Sequence, residues 1–141
     1  MIADQPAEEV VAACAAATRR GARLVAERLD VVDFYTPALR RVVTATLHPD
    51  VDQAEDDAPA GDRQDSRLRA VAALADVELS WMAQLVDARP TMWDIRGTHA
   101  ARVRDAAERR RALAAAEELR AAALAGEPLP AWVVDAVAVL A

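Results

Sequence analysis

The run THAARVRDAAERRRALAAAEELRAAALA, residues 98–125, decides the fold of this chain. It contains neither proline nor glycine, and alanine is its commonest residue. Alanine is the best helix former because it loses no side-chain entropy on folding. The run therefore predicts one helix with Thr98 as its N-cap, roughly 40 Å long at its full extent. Such a helix is longer than a compact domain of this size needs.

The composition of the rest of the chain also favours helices. Hydrophobic residues make up 54% of the 141 residues, but only one Phe, one Tyr and three Trp are present. Sheets prefer aromatic residues, and four glycines are too few for the turns of a many-stranded sheet. We expect an all-α protein, in which a helical bundle head over residues 1–97 is followed by a long helix and C-terminal helical hairpin over residues 98–141.

The first helices of the head are recognisable from their boundaries. Pro6 is tolerated in the first turn of a helix, so the first helix is expected to begin near it. Gly21 interrupts the pattern before a short second helix. Thr36 followed by Pro37 predicts an N-cap and the first position of a third helix.

Residues 49–66 differ sharply in composition from their neighbours. They include seven acidic residues, two prolines and almost no large apolar side chain, which leaves little to bury. The sequence therefore predicts a mobile acidic surface loop. Two further helices are expected after it, one capped by Ser66 with Leu74 on its apolar side, and one beginning at Ser80 with Trp81 in the core.

The end of the chain is apolar on every side. Gly126 is expected to end the long helix, and in residues 131–141 the only charged residue is Asp135. A helix that is apolar all round must be covered by something. We therefore expect self-association through apolar residues of the hairpin, namely Leu113, Leu119, Leu124, Trp132, Val133, Val137 and Leu140.

The basic run Arg109, Arg110 and Arg111 has two interpretations. On a helix these side chains spread over three directions at 100° per residue, so they cannot form one flat phosphate-binding face. They either form a solvated face that pairs with neighbouring carboxylates or contact an acidic partner. The sequence leaves both interpretations open.

The sequence lacks the motifs of several classes of catalytic and metal-binding site. The chain has no lysine and no glycine-rich phosphate loop. His48 and His99 lie in different segments without a partner histidine four residues away, and residues 55–57 lack the spacing of a calcium loop. We therefore expect no catalytic residues, no metal site and no cofactor, and we expect a protein that is not an enzyme.

Charge and targeting signals limit the partners and the compartment. A net charge of −6 disfavours a surface that wraps nucleic acid. Cys14 is the only cysteine, so no disulfide forms within the chain, and we expect it to be buried. The N-terminal residues lack the pattern of a signal peptide, and no apolar stretch reaches the roughly 18 residues of a membrane span. These features predict a cytoplasmic protein that does not insert into a membrane.

Three segments resemble the N-terminal domain of DnaB-type replicative helicases. LDVVDFYTPALRRV, residues 29–42, is similar to the acidic-Phe-Tyr turn and the helix with a basic pair that follows it. WMAQLVDARP, residues 81–90, looks like a short helix that closes on a proline. Residues 100–119 resemble the long helix that leaves the globular head. The three segments occur in the expected order, and the stretch from the first to the last of them covers most of the chain, residues 29–119.

The resemblance implies a stand-alone interaction domain without the ATPase motor. Its hairpins would pair between subunits into a homodimer or a higher homo-oligomer, and its other partners would be a replicative helicase, a primase or a helicase loader. Nucleic acid would be reached only indirectly.

A small helical DNA-binding regulator is the alternative function. It would use Arg40, Arg41 and the run from Arg67 to Arg69 to neutralise phosphates. The net acidity of the chain weighs against this alternative.

Overall fold

Eight α-helices account for most of the chain described by the computed structural model, residues 3–88 and 98–140. They are α1 (Gln5–Ala17), α2 (Arg19–Arg28), α3 (Pro37–Thr46), α4 (Pro49–Asp57), α5 (Arg63–Ala75), α6 (Leu79–Asp87), α7 (His99–Ala125) and α8 (Ala131–Leu140). Two 3-10 turns, Val31–Asp33 and Ala60–Asp62, precede α3 and α5. No strand occurs in the described ranges, so the all-α prediction is confirmed.

The chain forms two compact units. The first extends to Ala107 and the second begins at Glu108, whereas the sequence predicted a boundary after residue 97. The start of α7 therefore belongs to the first unit. Gly126 ends α7 with a φ of +71°, a left-handed conformation that glycine adopts without strain. Within residues 3–88 and 98–140, no helix combines the length and apolar character needed to cross a bilayer.

The core of the first unit is built around α1, which contacts α2, α3, α5 and α6. The largest fully buried apolar side chains around it include Phe34, Leu39 and Met82. On α1 itself most of the buried residues are small: Ala7, Ala12, Ala13, Ala15 and Ala16, together with Val11 and Cys14. Small side chains let the neighbouring helices approach α1 closely.

The closest approach joins α1 to α2 at Gly21. A Cβ atom at Gly21 would lie 2.2 Å from the Cys14 carbonyl oxygen and 2.8 Å from its Sγ. Gly21 is the third residue of α2, so the predicted break at this residue is wrong. The break lies at Thr18, which is extended and whose Oγ1 accepts a 2.9 Å hydrogen bond from the Gly21 amide. Thr18 thus provides the N-cap of α2.

The acidic segment is largely helical, so the prediction of a loop over residues 49–66 is wrong. Residues 49–57 form α4, and Val51 in it is completely buried. Arg19 lies 3.2 Å from a carboxylate oxygen of Asp52 and 2.8 Å from one of Asp56. The sequence suggested nothing to bury, but α4 is held by one valine and by ion pairs with distant arginines.

Two apolar side chains are more exposed than the sequence predicted. Trp81 is 36% exposed, whereas the next residue, Met82, is completely buried and takes the core position. Leu74 is 44% exposed on α5, while Val71 and Ala75 on the same helix are buried. The helical pattern located both helices, but it placed Trp81 and Leu74 on the wrong side.

Candidate interaction surfaces

Charged side chains of the first unit cap the ends of neighbouring helices. Glu8 in α1 is almost completely buried, and its Oε1 accepts hydrogen bonds from the backbone amides of Tyr35 (2.9 Å) and Thr36 (3.0 Å). These amides lie at the start of α3, where N–H groups lack partners within the helix and negative charge is favourable. Glu8 therefore fixes the start of α3 against α1.

Arg67 caps a helix C-terminus, the end of α1, whereas Glu8 caps a helix N-terminus. Its guanidinium is completely buried and donates to the carbonyl oxygens of Ala16 and Ala15, each at 3.0 Å. It also donates a 3.2 Å hydrogen bond to Asp52 and lies 3.6 Å from Glu55. A cation at a helix C-terminus matches the helix dipole and satisfies carbonyls that have no partner in the helix. A residue buried in this way has no access to DNA, so the part proposed for Arg67 in a DNA-binding surface is wrong.

An ion pair joins the start of α1 to α7 within the first unit. Asp4 caps α1 by accepting from the Ala7 amide at 3.1 Å, and Arg102 donates to both of its carboxylate oxygens at 2.7 and 2.9 Å. Burial alone would raise the pKa of Asp4, but the hydrogen bonds from Arg102 and Ala7 outweigh it, so this pKa lies below its ordinary value. Nearby, Arg104 donates to the carbonyl oxygen of Arg28 at the end of α2.

Cys14 is buried, as predicted. Burial raises the pKa of its thiol to about 11. The thiolate is the nucleophilic form of cysteine, so at neutral pH this thiol is inert. Its part in the molecule is to pack against Gly21.

The second unit carries an exposed apolar surface. On α8 the exposed fractions are 61% for Trp132, 58% for Val137 and 86% for Val139. Leu113 and Leu124 on α7 are also exposed. These include four of the residues proposed from the sequence as contacts for a partner, namely Leu113, Leu124, Trp132 and Val137.

The other proposed contacts are placed differently. Leu119 is half-buried and Val133 is 5% exposed, so Val133 packs inside its own chain. The side chain of Leu140 lies outside the described residues. Over its length α8 makes little contact with α7, which leaves most of its apolar side chains uncovered.

The basic run lies just inside the second unit. Arg109 and Arg111 are exposed and Arg110 is half-buried. All three make interactions within the chain, and their contact with a partner stays a prediction.

A groove of about 280 Å³ lies between α3 and α5 in the first unit. It is lined by Arg40, Arg41, Thr44, Ala45, His48 and Leu74. The sequence singled out Arg40 and Arg41 as a basic pair, but it gave no sign that Leu74 lies beside them. His48 follows the pair at helical spacing just beyond the end of α3, whereas Leu74 joins them because α3 packs against α5.

Comparison of this chain with protein-family models, with curated proteins and with solved structures finds no match. Among the described residues, no group of His, Cys, Asp and Glu side chains is arranged to hold a metal ion.

Proposed function

We propose that this chain is a cytoplasmic, non-catalytic interaction module that self-associates through its second unit. The observation that carries the proposal is the exposure of α8. Its only charged residue is Asp135, yet Trp132, Val134, Val137 and Val139 are each more than half exposed. Exposed apolar side chains in this number along one helix are typical of a protein-protein contact.

The charge pattern of α7 favours a second copy of the chain as the partner. Arg110, Arg111, Ala114, Glu117 and Glu118 lie on one side of the helix at 100° per residue. If two copies of α7 pair antiparallel about a two-fold axis at Ala114, Arg110 lies opposite Glu118 and Arg111 opposite Glu117. Two-fold pairing requires a self-complementary surface, and this pattern supplies one.

Sedimentation of the full chain at tens of micromolar tests the proposal. We expect a dimer or higher oligomer for the wild type. Val137→Glu is expected to weaken association at least tenfold, because a charge would be buried in an apolar contact.

Val32→Glu is the matched control. Val32 is 60% exposed, close to the 58% of Val137, but it lies in the first unit. This variant should associate like the wild type. A wild-type chain that is strictly monomeric at these concentrations, or equal weakening by both variants, would contradict the proposal.

The resemblance to the N-terminal domain of DnaB-type helicases supports a place in DNA replication. A second partner would then be a replicative helicase, a primase or a helicase loader. Purified helicase and primase from the source organism should co-migrate with the wild-type chain in gel filtration. If the chain dimerises but binds neither protein, only the link to replication fails.

A further inference from the structure

We propose that the groove between α3 and α5 binds a short acidic peptide segment in which an apolar side chain adjoins a carboxylate. The site lies in the first unit and does not depend on self-association of the second. Its lining combines fixed hydrogen-bond donors with an apolar floor.

Both arginines of the groove are held in place by backbone carbonyls. Arg40 donates from Nε (2.9 Å) and Nη2 (2.6 Å) to the carbonyl oxygen of Phe34, and Arg41 donates from Nε to that of Ala75 at 2.9 Å. Within the described part of the chain neither guanidinium has a carboxylate within 4.0 Å. In a chain with a net charge of −6, these two cations are positioned without a counter-ion. Donors whose orientation is already fixed lose less entropy when they bind an anion.

His48 adds a third donor. Its Nδ1 accepts a 3.1 Å hydrogen bond from the Asp50 amide, so in the neutral ring the proton is carried by Nε2. The Asp50 carboxylate lies 3.5 Å from Nδ1, on the same edge of the ring. The histidine therefore presents its donor edge away from Asp50.

The apolar part of the groove decides between ligands. Leu74, 44% exposed, and buried Ala45 line it together with the arginines. Nucleic-acid phosphates would use the guanidinium groups but not the leucine, and the acidic protein as a whole repels a polyanion. A peptide with a leucine beside a glutamate uses both. The volume of about 280 Å³ is slightly below that of ordinary small-molecule pockets, which fits one or two anchoring side chains of a longer segment.

Nuclear magnetic resonance titration of the full chain tests the site. The probe is the acetylated and amidated peptide Gly-Glu-Leu-Glu-Gly, and its control replaces both glutamates with glutamine. We expect the acidic peptide to shift the Nε–Hε signals of Arg40 and Arg41 and the ring signals of His48. Binding should be at least tenfold tighter than for the glutamine peptide and should weaken as salt is added.

Leu74→Glu should reduce binding of the acidic peptide at least tenfold without disturbing the fold, because the leucine is already partly exposed. Val32→Glu makes the same change of charge outside the groove and should bind like the wild type. Absence of shifts at millimolar peptide, or equal loss in both variants, would overturn the proposal. Tighter binding of a duplex oligonucleotide at the same signals would overturn it in favour of nucleic acid.

Discussion

The Nε atom of Arg67 donates a 3.0 Å hydrogen bond to the carbonyl oxygen of Ala16, across 51 residues of sequence. This contact ties α5 to the end of α1, and the same guanidinium reaches Asp52 on α4. One side chain therefore joins three helices.

Arg67→Ala is expected to destabilise the first unit by about 3 kcal/mol. The change leaves the carbonyls of Ala15 and Ala16 without this donor and removes a partner of Asp52 and Glu55 from a buried site. Urea denaturation followed by circular dichroism measures the loss. Arg69→Ala is the control, because Arg69 is exposed and its ion pair is with Asp65 on the same helix. A similar midpoint for both variants would contradict the structural role of Arg67.

The limits of the sequence prediction follow from such distant contacts. The sequence located α3, α7 and α8 because their signals are local: Pro37 at a helix start, an alanine-rich run, and Gly126 at a helix end. It missed α4 because the arginines that pair with its carboxylates lie far away in the chain. No local pattern links Asp52 to Arg19 or to Arg67.

In the candidate surfaces, too, the features set by consecutive residues were predicted and those set by contacts between distant residues were not. The apolar character of α8 is a property of consecutive residues, so the sequence identified Trp132 and Val137 as surface candidates. Burial of Val133 depends on how the chain folds back on itself and was not predicted. The sequence singled out Arg40 and Arg41 as a basic pair but predicted no groove, because Leu74 joins Arg41 through the packing of α5 against α3.

Gly21→Ala is expected to destabilise the first unit by about 3 kcal/mol. The added methyl group would lie 2.2 Å from the Cys14 carbonyl oxygen, and backbone must move to relieve that overlap. Gly61→Ala is the matched control, since nothing lies within 4 Å of its added Cβ. Its unfolding free energy should change by no more than about 0.5 kcal/mol. Equal tolerance of both substitutions in thermal unfolding would show that α1 and α2 are not this close.

Asp4→Asn is expected to destabilise the chain by about 1 kcal/mol at neutral pH, because the neutral amide loses the ion pair with Arg102 and the favourable interaction of a negative charge with the N-terminus of α1. The pKa of Asp4 in the folded chain lies below its ordinary value, so its stabilising effect is complete above that ordinary value. The effect disappears as the pH falls through the folded pKa. The difference in unfolding free energy between wild type and variant should therefore shrink below about pH 4. A constant difference between wild type and Asp4→Asn across this pH range would contradict the assignment.

Two reciprocal charge reversals test whether a second copy of the chain pairs with α7. In one variant Arg110 and Arg111 both become glutamate, and in the other Glu117 and Glu118 both become arginine. Each variant alone should associate at least tenfold more weakly than the wild type, because the antiparallel arrangement places like charges opposite each other.

An equimolar mixture of the two variants should restore association, since every pair about Ala114 is then of opposite charge. Sedimentation in low salt measures all three samples, and added salt should reduce the differences between them. Recovery in the mixture distinguishes pairing through α7 from nonspecific effects of charge. The mean net charge per chain in the mixture equals the mean over the two separate samples, so only the pairing of opposite charges has changed. If the mixture stays as dissociated as its components while the wild type associates, the contact between copies lies elsewhere on the second unit.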